Sequence, residues 1–170
     1  WIRTVPDDEP AIGPELRGLG RPGRLRWLGG KRAPGECWDA YEAPSGSPLV
    51  QLLEKPQPWE RVRYWLADLA EELAVGEHEQ SLPAVLALDR VWITPEGRAK
   101  LLDFSSPGVE EHGPWSELSP LDDDNAASTR RFLNQVAIAA LEGRMVAAEE
   151  ASGRTVAVPL ELKMAPPEGL

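Results

Sequence analysis

Residues with the types and spacing that chemistry needs are concentrated in one part of this 170-residue sequence, from residue 83 to residue 108. Asp103 stands in an apolar setting between Leu102 and Phe104, and it precedes a Ser-Ser-Pro-Gly turn. An aspartate in such a place either caps the turn that follows or serves as a site residue. Asp89 lies earlier in the same stretch and is interpreted as a turn residue.

The elements around Asp103 are predicted to form a β-hairpin. Residues 91–93 and residues 99–104 are two short β-rich runs. The Thr-Pro-Glu-Gly between them is typical of a turn, because proline presets φ and glycine adopts a positive φ at low cost. Asp103 is thus placed at the end of the second strand, whereas Lys100 on that strand is expected to face solvent.

The hairpin sequence GRAKLLDFSSPG, residues 97–108, resembles the protein-kinase segment that ends in Asp-Phe-Gly. On that match, Asp103 falls on the metal-binding aspartate, Phe104 on the phenylalanine, and Ser105 replaces the glycine. The family's catalytic loop, His-Arg-Asp-x-x-x-x-Asn, would fall on residues 83–90.

The catalytic loop departs from the family pattern at the two positions that carry its chemistry. Val85 stands where the catalytic aspartate would be, and valine has no proton acceptor. Arg90 stands at the second metal-binding position, and a fixed cation cannot hold magnesium. The resemblance therefore implies a degenerate, pseudokinase-like scaffold that has lost phosphoryl transfer and is not an enzyme.

The rest of the chain gives an order of elements that is similar to a kinase domain. Residues 21–28 alternate like a strand, with Arg24 and Arg26 on the face opposite Leu25 and Trp27. Residues 29–35 are turn-rich, and residues 36–41 form a second strand.

Two helices are predicted after these strands. Residues 59–75 carry an apolar stripe at helical spacing, with Gly76 as the stop. A second helix is predicted within residues 125–148, and Ser128 could cap it. Residues 156–162 are a short apolar run.

Two kinase features are missing from the start of the chain. Residues 1–20 contain neither a glycine-rich phosphate loop nor a strand lysine of the Val-Ala-Ile-Lys kind. Prolines interrupt this stretch, so no long helix is expected there, and Glu9 and Glu15 are poor candidates for the ion-pairing glutamate of a kinase.

The resemblance also implies a hinge between two lobes. Tyr41 would be the gatekeeper, and the backbone of residues 42–44 would be where an adenine binds. Pro44 has no N–H to donate. Glu42 and Ala43, with Asp103, are therefore vestigial nucleotide- or metal-binding candidates, and the alternative for residues 42–49 is a plain linker.

The predicted fold class is α+β and kinase-like, with a remnant small β lobe joined by a hinge to a mainly helical lobe. Residues 1–20 are expected to form an irregular Pro/Gly-rich arm, and residues 21–43 the remnant hairpin and hinge strand. Residues 44–170 would form a truncated large lobe.

The net charge of −10 argues against nucleic acid as a partner. Residues 15–32 are mostly basic and residues 103–124 are wholly acidic, which indicates either two solvated surfaces or docking between them. Cys37 is alone, so it forms no internal disulfide. His78 and His112 lie far apart, in expected surface loops, and no metal site is predicted.

Three functions are compatible with these features. The first is a catalytically inactive kinase-like module that serves as a scaffold or docking domain, with no cofactor and with other domains or subunits of a larger protein as partners. The second is a divergent nucleotide-binding phosphotransferase that retains ATP and magnesium, and the third is a small α+β interaction domain unrelated to kinases. Three tryptophans at element ends or in loops are candidate docking residues: Trp1, Trp59 and Trp115.

The sequence contains no apolar run long enough to span a membrane. A cytoplasmic location is expected, and any membrane attachment would come through segments outside this chain. The bias towards Gly, Ala, Arg, Pro and Trp fits a GC-rich bacterial coding sequence.

Overall fold

The computed structural model describes residues 1–109, 119–120 and 125–144. The predicted apolar run at residues 156–162, together with His112 and Trp115, lies outside these ranges.

A three-stranded antiparallel sheet forms the first part of the fold. Its strands are β1 (Ile2–Thr4), β2 (Trp27–Ala33) and β3 (Glu36–Tyr41), in the order β1-β3-β2. The prediction for β3 is confirmed. The strand predicted at residues 21–28 is wrong over residues 21–26, and the loop predicted at residues 29–35 is wrong over residues 29–33, because β2 begins at Trp27 and runs through Gly29 and Gly30 to Ala33. Gly30 is suited to its place in the strand, since a Cβ there would lie 2.5 Å from Asp39 Oδ1.

The Pro/Gly-rich arm was predicted to be irregular, but it contains strand β1 and one short helix, α1 (Pro14–Arg17). Strand β1 was not predicted, because three residues give no detectable period. Arg32 holds the arm against the sheet by donating to the carbonyls of Glu9 and Pro10, each at 3.1 Å. The same guanidinium pairs at 2.8 Å with Asp39, which is buried.

The chain then passes through β4 (Ser47–Pro48) into α2 (Leu49–Leu52). Strand β4 pairs with β6 (Val91–Ile93), which pairs with β7 (Ala99–Leu101) in a second antiparallel sheet. The predicted hairpin is confirmed: Thr94 N–H donates to Arg98 O, and Gly97 has φ +76°. Gly46 in the linker also has a positive φ, and a Cβ there would overlap Ile93 O.

Two long helices, α3 (Trp59–His78) and α4 (Asn125–Glu142), pack against each other, and α3 also packs on the hairpin. Both helices were predicted, but Gly76 does not end α3: it is buried inside the last turns, and His78 is helical. Ser128 is not a cap either, because α4 begins three residues before it and Ser128 is buried. The fully buried core residues include Leu49, Val62, Trp65, Leu69, Leu73, Leu86, Val91, Leu101, Phe132 and Val136.

Strand β5 (Val85–Leu86), which pairs with β8 (Ser119–Pro120), and a 3₁₀ turn (Leu88–Arg90) connect α3 to the hairpin. The architecture is therefore α+β, with small antiparallel sheets and a mainly helical second part. Within the described residues, none of the helices is both long and apolar enough to cross a membrane.

Candidate functional site

Asp103 lies where the two parts of the fold meet, and its carboxylate is already paired with a cation. Arg24 Nη2 donates to Asp103 Oδ1 in a short, charge-assisted contact. Arg24 is 2% exposed, and it comes from the segment before β2 rather than from the hairpin. The alternation of residues 21–28 did not indicate that Arg24 is buried, because its burial depends on ion-pair partners that are distant in sequence.

Arg24 belongs to a buried charge network with α3. Its Nη1 donates to Ser81 O at 3.0 Å and lies 3.6 Å from Glu72 Oε1. Arg21 pairs with the same carboxylate at 2.8 Å and with Glu79 at 2.8 Å. Burial raises the pKa of Glu72, and the two arginines act against that shift by favouring the ionised form.

Lys100 is not solvent-facing, contrary to the prediction. Its ammonium donates to Glu42 Oε1 at 3.0 Å and to the carbonyls of Pro22 and Arg24 at 2.9 and 3.0 Å. The side chain is 16% exposed. Lys100 therefore joins the hairpin to the linker residue Glu42 and to the segment that carries Arg24.

The residues at the catalytic-loop positions have structural contacts. Arg90 Nη1 donates to Asp103 O at 2.8 Å, and Leu102 N–H donates to Arg90 O at 2.8 Å. Val85 is paired in β5 with Pro120. Asp89 is 1% exposed, and its Oδ2 accepts a hydrogen bond from Ser105 Oγ at 2.7 Å.

The space between Tyr41 and Asp103 is nearly filled. The rings of Tyr41 and Phe104 lie 4.8 Å apart, which connects β3 to the end of the hairpin. The cavity beside them has a volume of about 10 Å³, and apolar side chains of the arm close it. That volume is at the lower limit for a single water molecule. Its lining residues are Ile12, Leu16, Leu19, Arg24, Leu25, Trp27, Tyr41 and Asp103.

A second ion pair, Arg3–Glu9 at 2.7 Å, borders the same region. The Arg3 guanidinium lies 6.0 Å from the centroid of the Phe104 ring, within cation–π range. The group near the Phe104 ring is therefore a cation of β1, and Glu9 of the arm is its carboxylate partner.

The linker offers few groups to a ligand. Glu42 N–H donates to Arg26 O at 2.9 Å, and the Glu42 carboxylate pairs with Lys100. Ala43 is exposed, and Pro44 lacks a donor. Of the three predicted site residues, Asp103 and Glu42 are brought to the junction and engaged by cations, whereas Ala43 lies on the surface.

Two of the three predicted docking tryptophans lie in the described part of the chain, and both are partly buried. Trp1 meets Trp92 edge-on at a centroid distance of 4.7 Å, and its backbone nitrogen donates to Tyr41 O at 2.8 Å. Trp59 packs against the main core at the start of α3.

The donor set around Asp103 does not fit a magnesium ion. Magnesium requires oxygen ligands, whereas the charged groups that contact the Asp103 side chain and carbonyl are the guanidinium groups of Arg24 and Arg90. Among the described residues, no three His, Cys, Asp or Glu side chains are grouped closely enough to hold a metal ion.

Sequence reasoning missed Arg24 and Glu72 as members of this site. The pairs that they form join residues far apart in the chain, and Arg24 and Asp103 are 79 positions apart. The one local signal was an excess of arginine before β2, which gave no indication of which arginine is buried.

Comparison with solved structures relates this geometry to a known fold. A crystal structure of the kinase domain of PknI from Mycobacterium tuberculosis, carrying a cysteine-to-alanine mutation, matches with a TM-score of 0.60 and 20% sequence identity. The match covers 79% of this chain and 56% of that kinase domain, so the likeness is to a kinase-like fold. No protein-family model matches the sequence, and no curated protein matches it.

Proposed function

We propose that this chain is a catalytically silent kinase-like module that serves as a scaffold or docking domain within a larger protein or assembly. The observation that carries the proposal is the ion pair between Arg24 and Asp103. Arg24 supplies, from within the protein, the positive charge that a metal ion would otherwise bring to this aspartate.

The chemistry of phosphoryl transfer supports the same conclusion. That reaction depends on positioning and on neutralising charge, with an aspartate near the attacking hydroxyl and oxygen ligands for magnesium. Here the base position is Val85 and the second ligand position is Arg90, which donates to the Asp103 carbonyl. Asp89 is a poor substitute base, because it is buried and accepts a hydrogen bond from Ser105.

The contacts that close the junction suit a rigid scaffold. Trp1 packs on Trp92, and Tyr41 packs on Phe104. Lys100 pairs with Glu42 across the same boundary. Opening a nucleotide cleft would break these contacts together, whereas a docking module gains from holding its two parts in one arrangement.

A phosphoryl-transfer assay tests the silence of the module. The full chain is incubated with radiolabelled ATP, magnesium or manganese, and a general protein substrate, and the Asp103→Asn variant serves as the matched control. We expect both proteins to transfer no more phosphate than the protein-free blank. Transfer by the unaltered chain that is lost in Asp103→Asn would overturn the proposal and favour the divergent phosphotransferase.

A further inference from the structure

A groove lies next to the Asp103 region: Arg21, Glu72 and Lys100 belong to both, whereas Arg24 and Asp103 do not line the groove. It runs between the outer face of α3 and the hairpin turn at residues 94–98, and continues to the segment that contains Pro22. Its two sections have volumes of about 570 Å³ and 800 Å³ and share four residues, so they are continuous. The shared residues are Asp68, Glu71, Glu96 and Arg98.

In the inner section of the groove, which includes Pro22, the basic side chains already form ion pairs with carboxylates. Arg98 Nε donates to Asp68 Oδ2 at 2.8 Å, and Arg21 pairs with Glu72 at 2.8 Å. Lys100 pairs with Glu42 outside the groove. These pairs neutralise Asp68 and Glu72 and leave none of the three cations available to an acidic ligand.

Three exposed acids of the groove make no ion pair within the part of the chain that the structure describes: Glu60, Glu71 and Glu96. Arg61 is the remaining basic residue of the lining, and it lies at the outer section, where it donates to Gln57. The uncompensated charge of the groove is therefore negative, as is the net charge of −10.

Tyr64 adds an aromatic surface to this groove. It is 54% exposed, which is unusual among the large apolar side chains of the structure. The guanidinium of Arg63 lies 4.7 Å from the centroid of its ring and donates to the Tyr64 hydroxyl oxygen at 3.0 Å, so this side chain already contacts an arginine. The Tyr64 ring is exposed, can contact a guanidinium, and lies in the same groove as carboxylates that form no ion pair. This combination is suited to binding arginine side chains of another molecule.

We infer that this groove is a docking site for an extended, arginine-containing peptide segment of a partner protein. Glu71 and Glu96 pair with arginines of the segment, and the ring of Tyr64 stacks against one of them. The inference rests on the proposed function, because it names the kind of partner that such a docking module holds.

Fluorescence polarisation with the full chain tests this inference. The probe is a short fluorescein-labelled peptide that contains several arginines and a few apolar residues, and two comparison peptides carry lysine or glutamate in place of every arginine. We expect saturable binding of the arginine peptide and no binding of the glutamate peptide. The lysine peptide is expected to bind about threefold more weakly, because an ammonium group stacks on tyrosine less well than a guanidinium.

Matched variants locate the binding. The double variant Glu71→Lys/Glu96→Lys should weaken binding of the arginine peptide by at least about tenfold, and Tyr64→Ala by about threefold. Glu54→Lys is the control, because Glu54 is an exposed acid that lines neither section of the groove. It should change the affinity by no more than about twofold. All of these side chains are exposed, so thermal melting should verify that each variant folds.

Two results would overturn the inference: no saturable binding of the arginine peptide, or an equal loss in Glu54→Lys and in the double variant, which would indicate non-specific attraction. The outcome is separable from the proposed function. If the protein binds the arginine peptide and also transfers phosphate, the inference about the groove holds and the proposed function fails. If the protein neither binds the peptide nor transfers phosphate, the proposed function holds and the inference about the groove fails.

Discussion

The guanidinium of Arg24 forms an ion pair with the carboxylate of Asp103, and the two residues come from opposite parts of the fold. Arg24 precedes β2 of the small sheet, whereas Asp103 follows the hairpin of the helical part. Leu101 N–H also donates to Gly23 O at 2.7 Å beside this pair. The contact therefore has two consequences, since it gives Asp103 a permanent cation and fastens the two parts together.

Arg24 should be important for stability. Replacing Arg24 by methionine removes one of the two arginines that pair with Glu72. The carboxylate of Glu72, whose side chain is 3% exposed, would then pair with Arg21 alone. Removal of one member of a buried ion pair costs about 3 kcal/mol or more, so urea unfolding of Arg24→Met should show a loss of that order. Arg26 is exposed, and Arg26→Met should cost less than about 0.5 kcal/mol. Equal losses in the two variants would contradict the buried network.

Arg32 should hold the irregular arm in place. Arg32→Ala removes the donors to the Glu9 and Pro10 carbonyls and leaves Asp39 buried without its cation. We expect faster cleavage of the arm by a glutamate-specific protease and a loss of unfolding free energy that exceeds the loss in the control variant. Lys31→Ala is the control, since Lys31 pairs at the surface with Glu36. An arm that stays protected in Arg32→Ala would show that other contacts fix it.

The linker should depend on glycine at position 46. Gly46 has φ +137°, and a Cβ at this position would overlap Ile93 O, so Gly46→Ala combines backbone strain with a clash. We expect a loss of more than about 2 kcal/mol. Gly35 also has a positive φ but open space around it, and Gly35→Ala should cost about 1 kcal/mol. If the two variants lose the same stability, the linker does not pack closely on β6.

Tyr41 should make stability depend on alkaline pH. Burial is the main cause that raises its pKa from 10.0 to about 12, with the charges of Asp39 and Asp103 adding to the shift. Because the folded-state pKa is the higher one, the contribution of Tyr41 is complete below pH 10 and is lost as the pH rises towards about 12. Phenolate absorbance and urea unfolding between these pH values should both report it.

Tyr41→Phe provides the control, because the chain contains two tyrosines and this variant leaves Tyr64 alone. The absorbance step near pH 12 should disappear in the variant, and its stability should fall less steeply over the same interval. A step that persists in Tyr41→Phe would contradict the assignment.

Local patterns were sufficient to predict the two long helices and the hairpin. The apolar stripe of α3 and the Thr-Pro-Glu-Gly turn of the hairpin depend on residues a few positions apart, so their periods are visible in the sequence. The end of α3 was misplaced because Gly76 packs against Leu82, and burial outweighed the usual preference of glycine for a helix end.

The contacts of the site could not be predicted in the same way. Arg24 alternates with apolar residues as a surface residue would, and its burial depends on Glu72 and Asp103, which are distant in sequence. Strand β1 is stabilised by pairing with β3 and by the contact between Trp1 and Trp92. Both contacts join residues that are distant in sequence, so a local sequence pattern could not predict them. The strand and turn pattern placed Asp103 at the end of the second strand, and Asp103 lies two residues beyond the end of β7.

A thermal-shift measurement of nucleotide binding asks whether Asp103 is still able to hold a metal-bound nucleotide. The full chain and Asp103→Ala are melted with ATP alone, with magnesium or manganese alone, and with ATP and each metal together. We expect no metal-dependent stabilisation of the unaltered chain, because Arg24 already pairs with Asp103. Stabilisation by ATP with metal that disappears in Asp103→Ala would instead establish a working nucleotide cleft and rule out a silent module.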